Sequence, residues 1–231
     1  MPSDIRCACR ADVAAITELL TDAIAPLPPT AYAVPNPADR HRVLAAVLRM
    51  EVEFAIDEGV VDVIDYGPIG DESDVRLHLA GQGAGDGPAA VALWWPRTEP
   101  LAELLGIPDY DHRLNEAAGP YADRFRELST LRDKYRPTAS HDELAYLAVT
   151  RAYRRRGLAR RLLAQHTRRD EAVYVNVCDL AAVELFQRRG YTIREAVSLP
   201  TGREQWGPVV GLPRKGQTLF WSMWRPADDM T

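Results

Sequence analysis

A run of arginines at a glycine turn is the feature of this sequence with the clearest chemistry. The run lies between an apolar segment (144–149) and a helical pattern (157–169), and it comprises Arg154, Arg155, Arg156, Gly157, Leu158 and Ala159. The first turn of a helix has backbone N–H groups without intrahelical partners and a partial positive charge. Gly157 and the small Ala159 let a phosphate approach that backbone, and the guanidinium groups add charge and donors. The pattern predicts a diphosphate-binding turn, the alternative being a solvated basic start of a helix.

The charge of the chain is unevenly distributed. Residues 151–190 contain ten Arg and four acidic residues, a local charge of +6, while the whole chain has 28 Lys+Arg against 33 Asp+Glu. The rest of the chain therefore has 18 basic and 29 acidic residues, or −11. This split predicts an anionic ligand on one surface and a cationic ligand on another.

Length and composition restrict the class of protein that holds this turn. The chain has 231 residues, of which 46% are hydrophobic, and three Cys. This indicates a globular protein that we expect to form one domain over 1–231, without a disulfide framework. Cys7 and Cys9 alternate on a strand without a matching Cys/His pair, so we expect no metal site. Because no apolar run is long enough to span a bilayer and MPSDIRCACR lacks a signal-peptide core, we expect a cytoplasmic protein without membrane contact.

The elements of the first half alternate between helix and strand. A strand from Ile5 precedes a helix with Asp12 as its predicted N-cap, and the proline-rich segment 26–37 is expected to run extended. A helix from Ala38 to Gly59 follows. We predict strands over 60–64, 75–79 and 89–95, and a helix over 115–135 that is broken or offset by Pro120.

The second half has a more regular pattern. Strands are predicted over 144–149, 172–177, 192–197 and 217–224, with helices over 157–169 and 180–189. Gly190 ends the second helix, and a long stretch (198–216) precedes the last strand. The order predicts an α/β sheet covered by helices.

Three sequence motifs resemble the GCN5-related N-acetyltransferase (GNAT) superfamily. Arg154, Gly157 and Ala159 stand where its motif A, Arg/Gln-x-x-Gly-x-Gly/Ala, follows the fourth strand. The segment 179–191 resembles motif B, Asn-x-x-Ala-x-x-Leu-Tyr-x-x-x-Gly-Phe, and the N-terminus (5–24) resembles the family's first strand and helix. The layout is loosely similar to the puromycin N-acetyltransferase group, with ADRHR at 38–42, AAVALWW at 89–95 and a final W-x-M.

The resemblance implies a fold and a co-substrate. The fold is a mixed, mostly antiparallel central sheet that splays between strands four and five, with flanking helices. Acetyl-CoA lies in this opening, bound by the half at 141–224, while the half at about 5–140 forms the acceptor side. The strand-four backbone at Leu147, Ala148 and Val149 would bond the pantetheine and polarise the thioester carbonyl. Backbone N–H groups of 154–159 would hold the pyrophosphate, with Arg155 and Arg160 near the 3′-phosphate.

Acid–base chemistry is less well specified by the resemblance. Glu143, at the start of strand four, is the candidate base for a protonated amine. Phe186 departs from the motif B tyrosine that can protonate the leaving thiolate, and Asp179 replaces the usual Asn; both belong to the predicted acetyl-CoA side. Either Cys178, Tyr174 or water protonates the sulfur, or the thiolate leaves unassisted, or the chain is not an ordinary acetyltransferase. Cys178 could equally be a small buried apolar residue.

The predicted acceptor is the primary amine of a small molecule, an antibiotic or specialised metabolite. We expect Tyr32, His141 and Trp206 to line its site. Two other functions fit the same fold: acyl transfer from aminoacyl-tRNA, for which the Arg-rich face would bind the phosphate backbone, and a non-catalytic acyl-CoA-binding module. The protein is expected to be a monomer or homodimer.

Overall fold

Seven strands form one sheet in the computed structural model, which describes residues 4–65, 87–96, 109–166, 171–198 and 218–227. The strand order is β1-β2-β3-β4-β5-β7-β6. The strands are β1 (Ile5–Cys7), β2 (Val60–Asp65), β3 (Pro88–Trp95), β4 (Asp142–Val149), β5 (Val173–Val177), β6 (Thr192–Ser198) and β7 (Thr218–Arg225).

The helices of the described part of the chain flank this sheet. They are α1 (Val13–Ile24), α2 (Pro28–Ala33), α3 (Pro37–Glu58), α4 (Tyr110–Ala118), α5 (Ala122–Tyr135), α6 (Leu158–His166) and α7 (Leu180–Gln187). Short 3-10 turns lie at 10–12, 119–121 and 151–153. The turn at 119–121 contains Pro120 and separates α4 from α5, as predicted, since proline cannot continue the backbone hydrogen bonds of a helix.

The β4–β5 pair is parallel, and the other neighbouring strands pair antiparallel. This confirms the predicted mixed, mostly antiparallel sheet with flanking helices. The predicted strand over 75–79, the end of the helix predicted to reach 169, and most of the stretch 198–216 lie outside the described residues.

Apolar side chains pack on both faces of the sheet. On one face, α1 and α3 bury residues such as Ile16 and Leu48 against the first strands. On the other, α6 and α7 bury Leu162, Val183 and Phe186 against the central strands. A third cluster joins α2, α3, α4 and α5 to β6 and β7. Burial of these side chains supplies the main driving force that fixes the helices on the sheet.

The proline-rich segment differs from its prediction. Residues 28–33 form the helix α2 rather than an extended chain. Pro28 and Pro29 occupy the first turn, where a missing N–H costs no hydrogen bond and a φ near −65° is already helical. The prolines therefore start this helix instead of preventing it.

The predicted N-cap role of Asp12 is also wrong in detail. Its side chain makes no capping hydrogen bond to α1. Instead it accepts from the backbone N–H of Cys9 at 2.8 Å and from both terminal nitrogens of Arg6 at 2.8 Å. The carboxylate thus ties the first strand to the 3-10 turn before α1.

Candidate active site

The central feature of the site is an opening between β4 and β5. The two strands pair only from Asp142 to Leu144, opposite Val173 to Val175, although both are described throughout. On the other edge of β4, the register with β3 shifts by one residue, because Ala145 is an additional residue opposite Leu93 and Trp94. This β-bulge bends the strand at the place where its pairing with β5 ends.

Backbone groups of β4 line the opening. The N–H of Thr150 donates to the carbonyl of Ala89 on β3 at 2.9 Å. Because successive residues of a strand direct their N–H and C=O groups to opposite edges, Val149 and Leu147 direct theirs away from β3, into the opening. Ala148 directs its own toward β3. This geometry supports the predicted pantetheine contacts of Leu147 and Val149 more than that of Ala148, and all three contacts stay predictions.

The arginine turn follows directly at the end of β4. The Nε of Arg154 donates to the carbonyl of Val149 at 3.1 Å, and Arg155 and Gly157 have positive φ angles of 62° and 79°. The N–H of Arg161 donates to the carbonyl of Gly157 at 3.0 Å, so Gly157 stands immediately before the first helical turn. The N–H groups of Leu158, Ala159 and Arg160 belong to that turn. The anion site predicted here has the backbone geometry it requires.

The surface around the turn is strongly basic. The guanidinium-bearing residues Arg154, Arg155, Arg156 and Arg160 are all exposed. Arg156 lies over the ring of Tyr153, 5.4 Å from its centroid. Burial, and secondly the charge of Arg160, lowers the pKa of Arg189. Two positive side chains from α6 and the end of α7 therefore repel each other, and a phosphate between them would relieve this repulsion.

The motif B residues have structural roles in α7. Asp179 is the N-cap, since its side chain accepts from the N–H of Ala181 at 3.1 Å. Phe186 is 3% exposed and meets the ring of Tyr191 edge-on, with 5.1 Å between centroids. Phe186 thus packs in the core next to α6, and contact of either residue with the co-substrate stays a prediction.

Glu143 forms an ion pair instead of standing free at the acceptor side. Arg136 donates to both of its carboxylate oxygens, from Nε at 3.0 Å and from a terminal nitrogen at 3.4 Å. Both side chains are largely buried, 10% exposed for Glu143 and 17% for Arg136. Its predicted role as the base is untested, and this pairing gives it a structural role that the sequence did not indicate.

The structure describes two of the three predicted acceptor residues, His141 and Tyr32. His141 is buried at the paired end of β4, with Nδ1 2.7 Å from the carbonyl of Ala139 and ring contacts to Tyr174 and Trp224. Tyr32 is buried on α2, where its hydroxyl donates to Glu127 on α5. Trp206 lies outside the described residues.

Cys178 follows β5 and packs against the cluster formed by α2, α3, α4 and α5. Burial raises the pKa of its thiol to about 11, against the opposing charge of Arg132. The thiol therefore keeps its proton at neutral pH. Both earlier interpretations, a proton donor or a small buried residue, remain compatible with this position.

A half-buried polar cluster on the predicted acceptor side was missed by the sequence reasoning. The hydroxyl of Tyr146 on β4 donates to the carboxylate of Glu51 on α3. Arg132 on α5 interacts electrostatically with both, and its buried Nε has no hydrogen-bond partner among the described residues. Glu51 lies 95 residues from Tyr146 in sequence. In the sequence, Glu51 is only one of several acidic residues on the long helix α3, and nothing near it indicates a contact with Tyr146.

Two further observations concern metals and membranes. Among the described residues, no group of three or more His, Cys, Asp or Glu side chains is arranged to hold a metal ion. None of the helices in the described ranges is long and apolar enough to cross a bilayer.

Comparison with solved structures identifies this architecture as that of acetyltransferases. Arylalkylamine N-acetyltransferase 2 from Aedes aegypti aligns with a TM-score of 0.59 at 11% identity, covering 97% of this chain and 99% of the other. Mosquito arylalkylamine N-acetyltransferase like 5b gives 0.55 at 16% identity, with 96% and 98% covered. A Corynebacterium glutamicum protein, described as histone acetyltransferase HPA2 and related acetyltransferase, gives 0.52 at 19%, with 98% and 97% covered.

A sequence-family match agrees with the fold. Residues 128–193, which include β4, the arginine turn and α7, match the acetyltransferase (GNAT) domain. No curated protein matches the chain. The GNAT match over 128–193, together with the fold, supports the class of N-acetyltransferases that the motifs predicted. The co-substrate of this class is acetyl-CoA, and the opening in the sheet together with the arginine turn fits its pantetheine and diphosphate.

Proposed function

We propose that this protein transfers the acetyl group of acetyl-CoA to the primary amine of a small molecule. One observation carries the proposal. The opening between β4 and β5 ends at the arginine turn, and this turn leads directly into the first turn of α6 with its unpaired backbone N–H groups. Strand-edge donors for a thioester arm and helix N-terminal donors for a diphosphate therefore follow one another within one continuous segment. This is the arrangement that acetyl transfer from CoA requires.

Carboxylates on the layer of helices formed by α2, α3, α4 and α5, called here the helical layer, support a cationic acceptor. Three tyrosine–carboxylate pairs lie there: Tyr32 with Glu127, Tyr121 with Asp39, and Tyr146 with Glu51. Aromatic rings next to negative charge favour an ammonium group through electrostatic and cation–π attraction. The similar structures named as arylalkylamine and agmatine N-acetyltransferases act on amines of this kind. We extend this substrate class to the present chain as a hypothesis.

The direct test is thiol release by the full chain from acetyl-CoA in the presence of single amines. A suitable panel contains 2-phenylethylamine, tryptamine, agmatine and puromycin. We expect amine-dependent release of CoA and a matching N-acetylated product by mass spectrometry. Absence of both with every amine, in protein that is folded, would contradict the proposal.

The amine assay, together with measurements of CoA binding and aminoacyl-tRNA binding, separates the two other functions considered for this fold. Tight binding of CoA without turnover on any amine would favour a binding module. Binding of aminoacyl-tRNA with a steep salt dependence, and acyl transfer from it, would favour the RNA-dependent donor.

A further inference from the structure

The Glu51–Tyr146 pair begins beside the point on β4 where the pairing with β5 ends. Tyr146 is two residues beyond Leu144, the last β4 residue paired with β5, and immediately after the bulge at Ala145. Its backbone neighbour Leu147 faces the opening. Its side chain extends to the face of the sheet that α1 and α3 cover, where its hydroxyl donates to Glu51 on α3. The pair therefore connects the edge of the opening to the acceptor side.

The electrostatics of the pair suit proton exchange. Burial raises the pKa of Glu51, opposed by the hydrogen bond from Tyr146 and by the charge of Arg132. Burial, and secondly the charge of Glu51, raises the pKa of Tyr146 well above its usual value. Tyr146 thus keeps its hydroxyl proton at neutral pH, and the raised pKa of Glu51 makes its carboxylate a stronger proton acceptor than an exposed one.

Other candidates for these proton transfers are occupied or lack the required group. Phe186 has no hydroxyl and is buried against Tyr191. Both carboxylate oxygens of Glu143 accept from Arg136. Cys178 retains a proton and lies near Arg132, so it is the competing donor that the experiment below must separate.

We propose that Glu51 and Tyr146 form a proton relay from the acceptor amine to the sulfur of CoA, which rests on the proposed function above. Glu51 accepts one proton from the ammonium group and leaves the nitrogen lone pair free to attack. As the C–N bond forms and the C–S bond breaks, the sulfur takes the electron pair and a proton from the Tyr146 hydroxyl. Glu51 returns its proton to the Tyr146 oxygen, and the second proton of the nitrogen leaves to solvent. The products are the amide, CoA thiol and one proton, and the pair is restored.

The relay is tested with Glu51→Gln and Tyr146→Phe, each nearly isosteric. The control for the first is Glu53→Gln, on the same helix and paired with Arg49 and Arg113. The control for the second is Tyr135→Phe, at a partly buried tyrosine that ends α5 and packs on the cluster of α2, α3, α4 and α5. All variants are assayed with acetyl-CoA and the best amine of the panel, and CoA binding and thermal unfolding are measured in parallel.

We expect both relay variants to lose about 100-fold in kcat, the usual size of a general acid–base contribution, with CoA affinity unchanged. The double variant should lose little more than the worse single one, because the two groups act as one unit. In Glu51→Gln, kcat/KM should rise roughly tenfold per pH unit toward the pKa of the amine, where the unaltered protein has levelled off. The two control variants should stay within about threefold of the unaltered protein, which is small beside a general acid–base effect, and Cys178→Ala should lose less in kcat than Tyr146→Phe.

Three results would overturn the relay. Turnover by the unaltered protein with kcat unchanged in either relay variant would remove it and leave the proposed function intact. A loss in Cys178→Ala equal to that expected for Tyr146→Phe would assign the donor to Cys178. If no amine is acetylated by the unaltered protein, the proposed function fails and the relay fails with it. Should Glu51→Gln not fold, Tyr146→Phe alone decides the outcome.

Discussion

The side chains of Glu143 and Tyr146 extend to the same face of the sheet, although they are three residues apart on one strand. In a regular strand such positions face opposite sides. The additional residue at Ala145 restores the match, so that Glu143 pairs with Arg136, the residue after α5, and Tyr146 pairs with Glu51 on α3. Two carboxylates thus lie on the acceptor side of β4, one held in an ion pair and one held by a hydroxyl.

Glu143→Gln should act mainly on stability. The substitution removes the charge of Glu143 from the largely buried Arg136 and leaves Asp133 as its remaining ion-pair partner, which costs about 1.5 kcal/mol in the free energy of unfolding. Urea denaturation measures this loss, and Glu143→Gln combined with Arg136→Gln should recover part of it. The pH profile of kcat/KM should keep its shape. A profile that loses its acid limb with stability unchanged would instead identify Glu143 as the base.

Gly157→Ala should weaken CoA binding through the backbone alone. At φ of 79°, a Cβ at this position meets no atom within 4 Å, so the cost is conformational and about 1 kcal/mol. Gly119→Ala is a matched control, with φ of 54° and open space, outside the arginine turn. We expect both variants to lose similar stability by urea denaturation. Calorimetry should show weaker CoA binding, by about fivefold, only for Gly157→Ala, since about 1 kcal/mol corresponds to that ratio; equal CoA affinities in the two variants would contradict the assignment of the turn.

Arg160→Ala should reduce the preference of the protein for the 3′-phosphate of CoA. A charge-assisted hydrogen bond is worth about 1.5–3 kcal/mol, so the affinity for CoA should fall by at least about tenfold. The affinity for 3′-dephospho-CoA should be almost unchanged. Arg188→Ala is the control, because Arg188 is exposed on the surface and pairs with Glu184. Equal losses for both nucleotides would move the phosphate contact to another arginine.

The Arg6–Asp12 pair should make stability depend on pH at the acid end. Hydrogen bonds from Arg6 hold the pKa of Asp12 well below its usual value. A lowered pKa contributes stability that is present above the unfolded value of about 3.9 and is lost as pH falls through the folded one. Asp12→Asn should therefore cost about 1 kcal/mol at neutral pH, since Arg6 is partly exposed, and progressively less in strong acid. Urea denaturation at several pH values checks this; a difference that is constant with pH would contradict it.

The sequence predicted the periodic elements and the local motif, because both depend on neighbouring residues. The sheet strands, the helices at 37–58 and 180–187 and the arginine turn all follow from apolar spacing, glycine and charge within short windows. The segment at 26–37 was predicted extended because proline was treated only as a helix breaker, whereas two prolines at a first turn favour helix.

The polar cluster could not be predicted in this way. Glu51 and Tyr146 come from distant segments, and their contact depends on the bulge at Ala145, which periodicity does not reveal. The ion pair between Glu143 and Arg136 could not be predicted either, although the two residues are only seven positions apart in the sequence. Spacing indicated which residue types are available, and packing decided which of them are paired.

A crystal structure of the protein with bound CoA is the most direct measurement of the central claim. We expect the pantetheine arm to lie in the opening between β4 and β5, with hydrogen bonds to the backbone of Leu147 and Val149. The pyrophosphate should lie on the N–H groups of the first turn of α6, next to Gly157. CoA bound elsewhere, with β4 and β5 paired beyond Leu144 and the arginine turn free of phosphate, would contradict it.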